Sequence, residues 1–236
     1  MTHNLFKEKF TLKESQCTLI SDKQQAIQAA IESIKRNRQE LEAYIQTNPK
    51  FLWTLKPFPP PENPLVAKMM AEAAEQAGVG PMAAVAGAIA DIAVIDMTKA
   101  GGQVAVVEDG GEISAISDIA VDVAVAAGEE PLSKRFGFRL TEFPIGLATS
   151  SGRFSHALSF GDAEAATVFC KNSTLADAVA TAVGNVVKGE DSGVGIKAGL
   201  NLGMSIEGVD GMLILYKGRV GMAGKIPEMI KVDKSV

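Results

Sequence analysis

Between Leu175 and Gly184 the chain carries two side-chain oxygen groups, Asp177 and Thr181, in a run otherwise made of Leu, Ala and Val. Leu175, Ala178, Val179, Ala182, Val183 and Val186 recur at three- and four-residue steps, which predicts a helix over 173–187 buried on one broad face. Asn172, Ser173 and Thr174 are each suited to cap its start. Asp177 and Thr181 stand four apart and share a face. One broad apolar face of this kind packs against a core. A carboxylate and a hydroxyl in its first turns have two readings. Either Asp177 answers the positive helix end while Thr181 bonds back to a carbonyl, or both face a hard cation.

The rest of the chain supplies enough apolar material for such a core. It has 236 residues, 47% of them hydrophobic, and a net charge of −5 without a block of Lys or Arg. Nucleic acid and anionic membranes are therefore poor partners. The start, Met-Thr-His-Asn-Leu-Phe-Lys, has no apolar leader, and no membrane span is expected. Two cysteines do not make a disulfide framework, so a cytoplasmic location is expected.

Two short strands are expected over 5–20 around Lys13-Glu14-Ser15. A long helix to about Ile45 follows, capped by Ser21-Asp22. Pro49, Pro57, Pro59, Pro60, Pro61 and Pro64 make 49–64 an ordered extended loop, with Trp53 and Phe58 pinning it to the body. Helices are expected from Asn63-Pro64 to about Gln76, stopped by Gly78, and from Gly80-Pro81 to about residue 100. The second is apolar almost all round and hence buried. A hairpin turning at Asp109-Gly110 joins strands near 104–107 and 113–116. Strands are expected at 119–127, 136–143, 145–149, 154–160 and 165–170. The helix at 173–187 and a Gly-interrupted one at 191–203 follow, and a hairpin over 212–222 closes the chain. Both halves run from strands through paired helices back to strands. The predicted class is α+β, one domain over 1–236, with mostly antiparallel sheets packed against paired Gly/Ala-rich helices.

Four segments carry a resemblance. Leu-Ala-Asp-Ala-Val-Ala-Thr-Ala at 175–182 resembles the ADALATA motif of the ApbE family, the FAD:protein FMN transferases. Gly87-Ala88-Ile89-Ala90-Asp91 is similar to that family's GGIAKG segment. Glu108 to Ile113, with Gly110, Gly111 and Glu112, is similar to its NxGGD turn. Ala148 to His156, with Ser155, is similar to its ATSGxxxRYSHI run. The resemblance implies an ApbE-like fold. It implies magnesium (or calcium) held by Asp177, Thr181 and the Ala90 carbonyl, with Asp91 as an added carboxylate. It also implies an FAD site that includes Gly110, Gly111, Glu112 and Ser155, and His156 as base for the threonine hydroxyl of a protein acceptor. Asp91 stands where the family has lysine, and Ala157-Leu158 where it has Asp-Pro, which implies weak or absent FMN transfer. The chain looks most like a short cytosolic branch of archaea and anaerobic bacteria, members of which are linked to sulfide assimilation and homocysteine formation.

Cys170 ends a strand just before a helix start, where the helix dipole favours a thiolate. This makes it the candidate catalytic thiol of a sulfur-handling protein; a buried apolar role is the other reading, and the simpler one for Cys17. Three functions follow: a metal-dependent transferase acting on a flavin nucleotide, a sulfur carrier, and a ligand-binding protein on a decayed enzyme fold.

Overall fold

The computed structural model describes residues 4–13, 15–124, 136–151 and 161–231. The first half contains β1 (Phe6–Leu12), β2 (Ser15–Ser21), α1 (Gln24–Thr47), the single-turn α2 (Lys50–Trp53), α3 (Leu65–Ala77), α4 (Val85–Lys99), β3 (Ala105–Asp109) and β4 (Glu112–Ile116). Next come β5 (Val121–Ala124), β6 (Phe136–Leu140), β7 (Ile145–Ser150), β8 (Ala165–Cys170), α5 (Ser173–Val186), α6 (Ser192–Met204), β9 (Val209–Tyr216), β10 (Arg219–Gly224) and β11 (Glu228–Lys231).

Eight strands form one antiparallel sheet in the order β1-β2-β3-β4-β7-β8-β9-β10. Each half is thus two strands, helices, then two strands, laid side by side in chain order. The halves meet where β4 pairs with β7 through Ile113↔Leu147, Ser114↔Gly146 and Ala115↔Ile145. The helices cover one face, against Leu19, Val107, Ala148, Val168 and Ile214. A three-stranded antiparallel sheet, β11-β6-β5, lies under the other, where Phe138 and Leu140 meet Ile113, Leu147 and Phe169. Every residue of β8 is buried, which is why that strand reads as a continuous apolar run and not as an alternation.

The central helix α4, with the 3₁₀ turn Pro81–Ala84 before it, is long and apolar enough to cross a membrane by length and composition. Here it is the core: Ala88, Ala90, Ala93 and Met97 are fully buried. It packs backbone to backbone on α5. A Cβ at Gly87 would lie 2.3 Å from the Ser173 carbonyl oxygen, so only glycine permits this approach.

Several local expectations change. Asp22 does not cap α1. Its Oδ1 accepts from the Gln103 and Val104 amides at 2.9 and 3.0 Å and ties the end of β2 to the chain entering β3. The proline-rich stretch is not extended throughout: Pro49 has helical backbone angles and starts α2, which a proline in the first turn allows. Phe51, not Trp53, is the anchor, fully buried with Tyr44 and Phe58 edge-on to it, while Trp53 is 76% exposed. The expected strand over 154–160 lies outside the described residues. β11 was not anticipated.

Candidate functional site

Asn172 caps α5, its Oδ1 accepting from the Leu175 amide at 2.8 Å. A second carboxyl serves the same helix end from across the core. Asp91 of α4 accepts from the amides of Ser173 (2.9 Å) and Thr174 (2.8 Å), and from the hydroxyls of Thr174 (2.5 Å) and Ser114 (2.6 Å). Four donors occupy its two oxygens. Asp91 is therefore a buried clamp joining α4, α5 and β4, and the expectation of an added metal carboxylate is corrected. Its place at the positive end of α5 also explains the fate of Cys170. The dipole is answered by a carboxylate, and the thiol is fully buried. Burial first, then the charges of Asp210 and Asp91, push the Cys170 thiol up to about 12. Burial and Asp109 do the same to Cys17, also to about 12. Burial and the neighbouring acids both act against a thiolate, which favours the buried apolar reading of Cys170 over the activated one.

One turn further along α5 the pattern reverses. Of the residues from Ser173 to Gly184, Asp177 and Thr181 are partly accessible and all others are buried. Around them lie the start of α4, the end of β7 and the β3–β4 turn, and the region these elements share with α5 is a candidate recess. Gly87 donates its amide to Asp177 Oδ2 at 3.1 Å. Across the recess, Gly110 takes the left-handed conformation (φ +75°) that turns the hairpin, and Gly111 donates to Glu112 Oε2 at 3.1 Å. A Cβ at Gly111 would come within 3.3 Å of the Thr149 carbonyl oxygen, and one at Gly184 within 3.3 Å of Ser150 Oγ, so β7 ends against both.

The recess is acidic. Burial raises the Asp177 carboxyl well above the usual range, the charge of Glu112 raises it further, and the Gly87 amide offsets part of this. Glu112 is raised to about 7, by burial first and then by Asp109, against the amide of Gly111. Two carboxyls so placed are stable when they hold a proton or face a cation. Their chemistry and that of Thr181 is all oxygen, which suits magnesium or calcium. Among the described residues no three His, Cys, Asp or Glu side chains converge as a ready cation cage. Two acids and a hydroxyl would therefore need further oxygens from water or from an anionic ligand.

The other expected site residues fall as follows. Gly110, Gly111 and Glu112 form the far wall of the recess. Ala90 does not offer a free carbonyl. It is buried in the second turn of α4, where the helical ladder directs its oxygen to the Val94 amide. The α4 backbone that touches Asp177 is at Gly87. Ser155 and His156 lie outside the described residues. The pairing of Glu112 with Asp177 escaped sequence reasoning, because 65 positions separate them and their charges meet only across the sheet end.

The family described as AbpE bacteria matches residues 3–202. The chain belongs to this family, a divergent branch of the ApbE superfamily. It is 39% identical over 233 residues to a UPF0280 protein of Methanosarcina acetivorans, covering 96% of this chain and 90% of that one. It is 38% identical over 236 residues to a UPF0280 protein of Methanocaldococcus jannaschii, covering 98% and 96%. Among solved structures, the apo flavinyl transferase ApbE of Pseudomonas stutzeri superposes with a TM-score of 0.60 at 12% identity, over 93% of this chain and 94% of that one. The ApbE protein of Thermotoga maritima gives 0.55 at 12% identity, over 98% and 97%. At that identity the likeness is one of fold. The α+β class expected from sequence is the ApbE fold.

Proposed function

We propose that the recess between α4, α5 and the β3–β4 turn binds a divalent hard cation together with the diphosphate of a flavin nucleotide. The carrying observation is Asp177. It is a partly accessible carboxyl in an apolar helix, its Oδ2 bonded to the Gly87 amide, and the charges that act most on it are acids. Asp177 and Thr181 would hold the cation, and the diphosphate oxygens would complete its shell. The Gly110-Gly111 turn admits a flat ring or a phosphate close to the backbone. The bound cation would supply charge neutralisation to a transferring phosphoryl group.

Transfer itself is expected to be weak. Val85 to Ile92, the first turns of α4, contain no Lys or Arg that could share the diphosphate charge. The family lysine thus has no substitute in these first turns. Asp91, the residue that takes its place in the motif, is committed to α5. This favours a flavin-nucleotide binding protein with residual FMN transfer over an efficient transferase. Magnesium and calcium titrations by calorimetry, with and without FAD, on the native chain and on Asp177→Ala, test the reading. Binding that strengthens with FAD and is lost in Asp177→Ala supports it. Binding unchanged by the substitution overturns it. Robust magnesium-dependent labelling of a threonine-containing peptide, seen by mass, would overturn the weak-transfer part alone.

A further inference from the structure

A second pocket of about 400 Å³ opens beside the start of α5, one helical turn before Asp177. Its members fix its position. Ser114 and Ile116 lie toward the end of β4, Pro144 precedes β7, and Lys171 follows β8, whereas the Asp177 recess faces the β3–β4 turn and the end of β7. Met69, Ala73, Val94, Ile95 and Leu175 make its walls apolar. Its polar members include the bonded cluster of Asp91, Ser114 and Thr174, with Glu72, Gln76, Lys171 and Asn172 beside it. Apolar walls with a few convergent polar groups are the usual build of a small-ligand site.

The hydrogen bonds of that cluster say what such a ligand must bring. Ser114 Oγ and Thr174 Oγ1 each spend their one proton on Asp91. What the two hydroxyls have left to offer is lone pairs, and behind them stands a carboxylate. At these two hydroxyls a ligand carbonyl or carboxylate meets no donor, whereas an N–H donor finds acceptors and a positive one gains from the charge behind them; the donors of the lining, Gln76, Lys171 and Asn172, are other residues. At the mouth Lys171 has its nearest acidic partner, Asp210, 3.9 Å away, and Glu72 adds a negative charge. From these groups we infer that the pocket binds a small primary ammonium compound with a short branched apolar body, its ammonium on Ser114 and Thr174 and its body against Val94, Ile95 and Leu175. A simple alkylamine and an apolar amino acid share this chemistry. In the second, the ligand carboxylate would lie toward Lys171.

Saturation-transfer NMR on the full chain tests this, with isoamylamine, isoamyl alcohol and L-leucine as probes. Isoamylamine or leucine should receive saturation at millimolar concentration, and the alcohol, lacking the charge, should bind about ten-fold more weakly. Tighter leucine binding assigns an amino-acid site; tighter isoamylamine binding assigns an alkylamine site. Ala73→Leu should fill the pocket and abolish transfer. Gln76→Lys, at an exposed position on the lining, should weaken the amine about five-fold by repulsion while leaving the alcohol unchanged. FAD with magnesium should not displace the amine, which separates this site from the Asp177 recess. No transfer to either ammonium probe, equal binding of the alcohol, or an amine signal unaltered in both variants overturns the inference.

Discussion

Asp177 and Glu112, with Glu108, are the acids that burial raises, and they contribute a pH dependence of one sign. In the folded chain Glu112 holds its proton to about pH 7, against 4.5 for an ordinary glutamate, and Asp177 is raised as well. Between those values the folded protein binds more protons than the unfolded chain. Stability must therefore fall as pH rises through that window, and the loss is complete above it. Thermal melts from pH ~5 to ~8 should show a falling midpoint, and Glu112→Gln should flatten the slope and add roughly 1–2 kcal/mol at the alkaline end, allowing for its partial exposure. A midpoint that rises over this range would contradict the acid pair. At the proposed site magnesium would compete with the same protons, so its binding should tighten as pH rises. Asp91 carries a different load. Asp91→Ala strands two buried amides of α5 and should cost about 3 kcal/mol or more in urea unfolding. The thiols give a third residue-scale test. Neither Cys17 nor Cys170 should react with an alkylating agent at neutral pH before the chain unfolds, and pulse alkylation with peptide mapping reads this directly.

At the scale of elements, the contact of α4 with α5 decides whether the recess exists. Alanine favours an exposed helix over glycine by about 1 kcal/mol. At Gly87 that gain is outweighed, because the new Cβ would run into the Ser173 carbonyl at 2.3 Å. Gly87→Ala should destabilise by about 1–3 kcal/mol. It should also weaken magnesium binding, because the Gly87 amide that orients Asp177 moves away. Stability loss with unchanged affinity would separate the two roles. The periodicities of these helices were legible in the sequence, as were the alternating strands and the Gly78 and Gly110 turns. Long-range hydrogen bonding was not. Asp91 followed a short motif and was read as a ligand, yet its partners lie 82 and 83 positions away at the start of α5. Cys170 was read as activated because the dipole was visible in the sequence and the carboxylate that answers it was not. Pro49 looked like a helix breaker, whereas at a helix start its fixed φ is an advantage.

The whole molecule is two like-built halves sharing one sheet. Among the described residues, three pairs of β4 and β7 join them in the sheet, and α4 packs on α5 above it. Other bonds reinforce that seam: Asp91 of the first half holds the amides of Ser173 and Thr174 in the second, and Gly87 of the first donates to Asp177 of the second. The proposed cation recess and the proposed ammonium pocket both take residues from each side of it. A ligand in either place acts as a rivet. It adds to the free energy needed to part the halves in proportion to the logarithm of its concentration, and native-state hydrogen exchange should slow in α4 and α5 together, not in one alone. An empty protein and a filled one would then differ less in shape than in how readily the halves part, so binding would be recorded in this chain chiefly as lifetime.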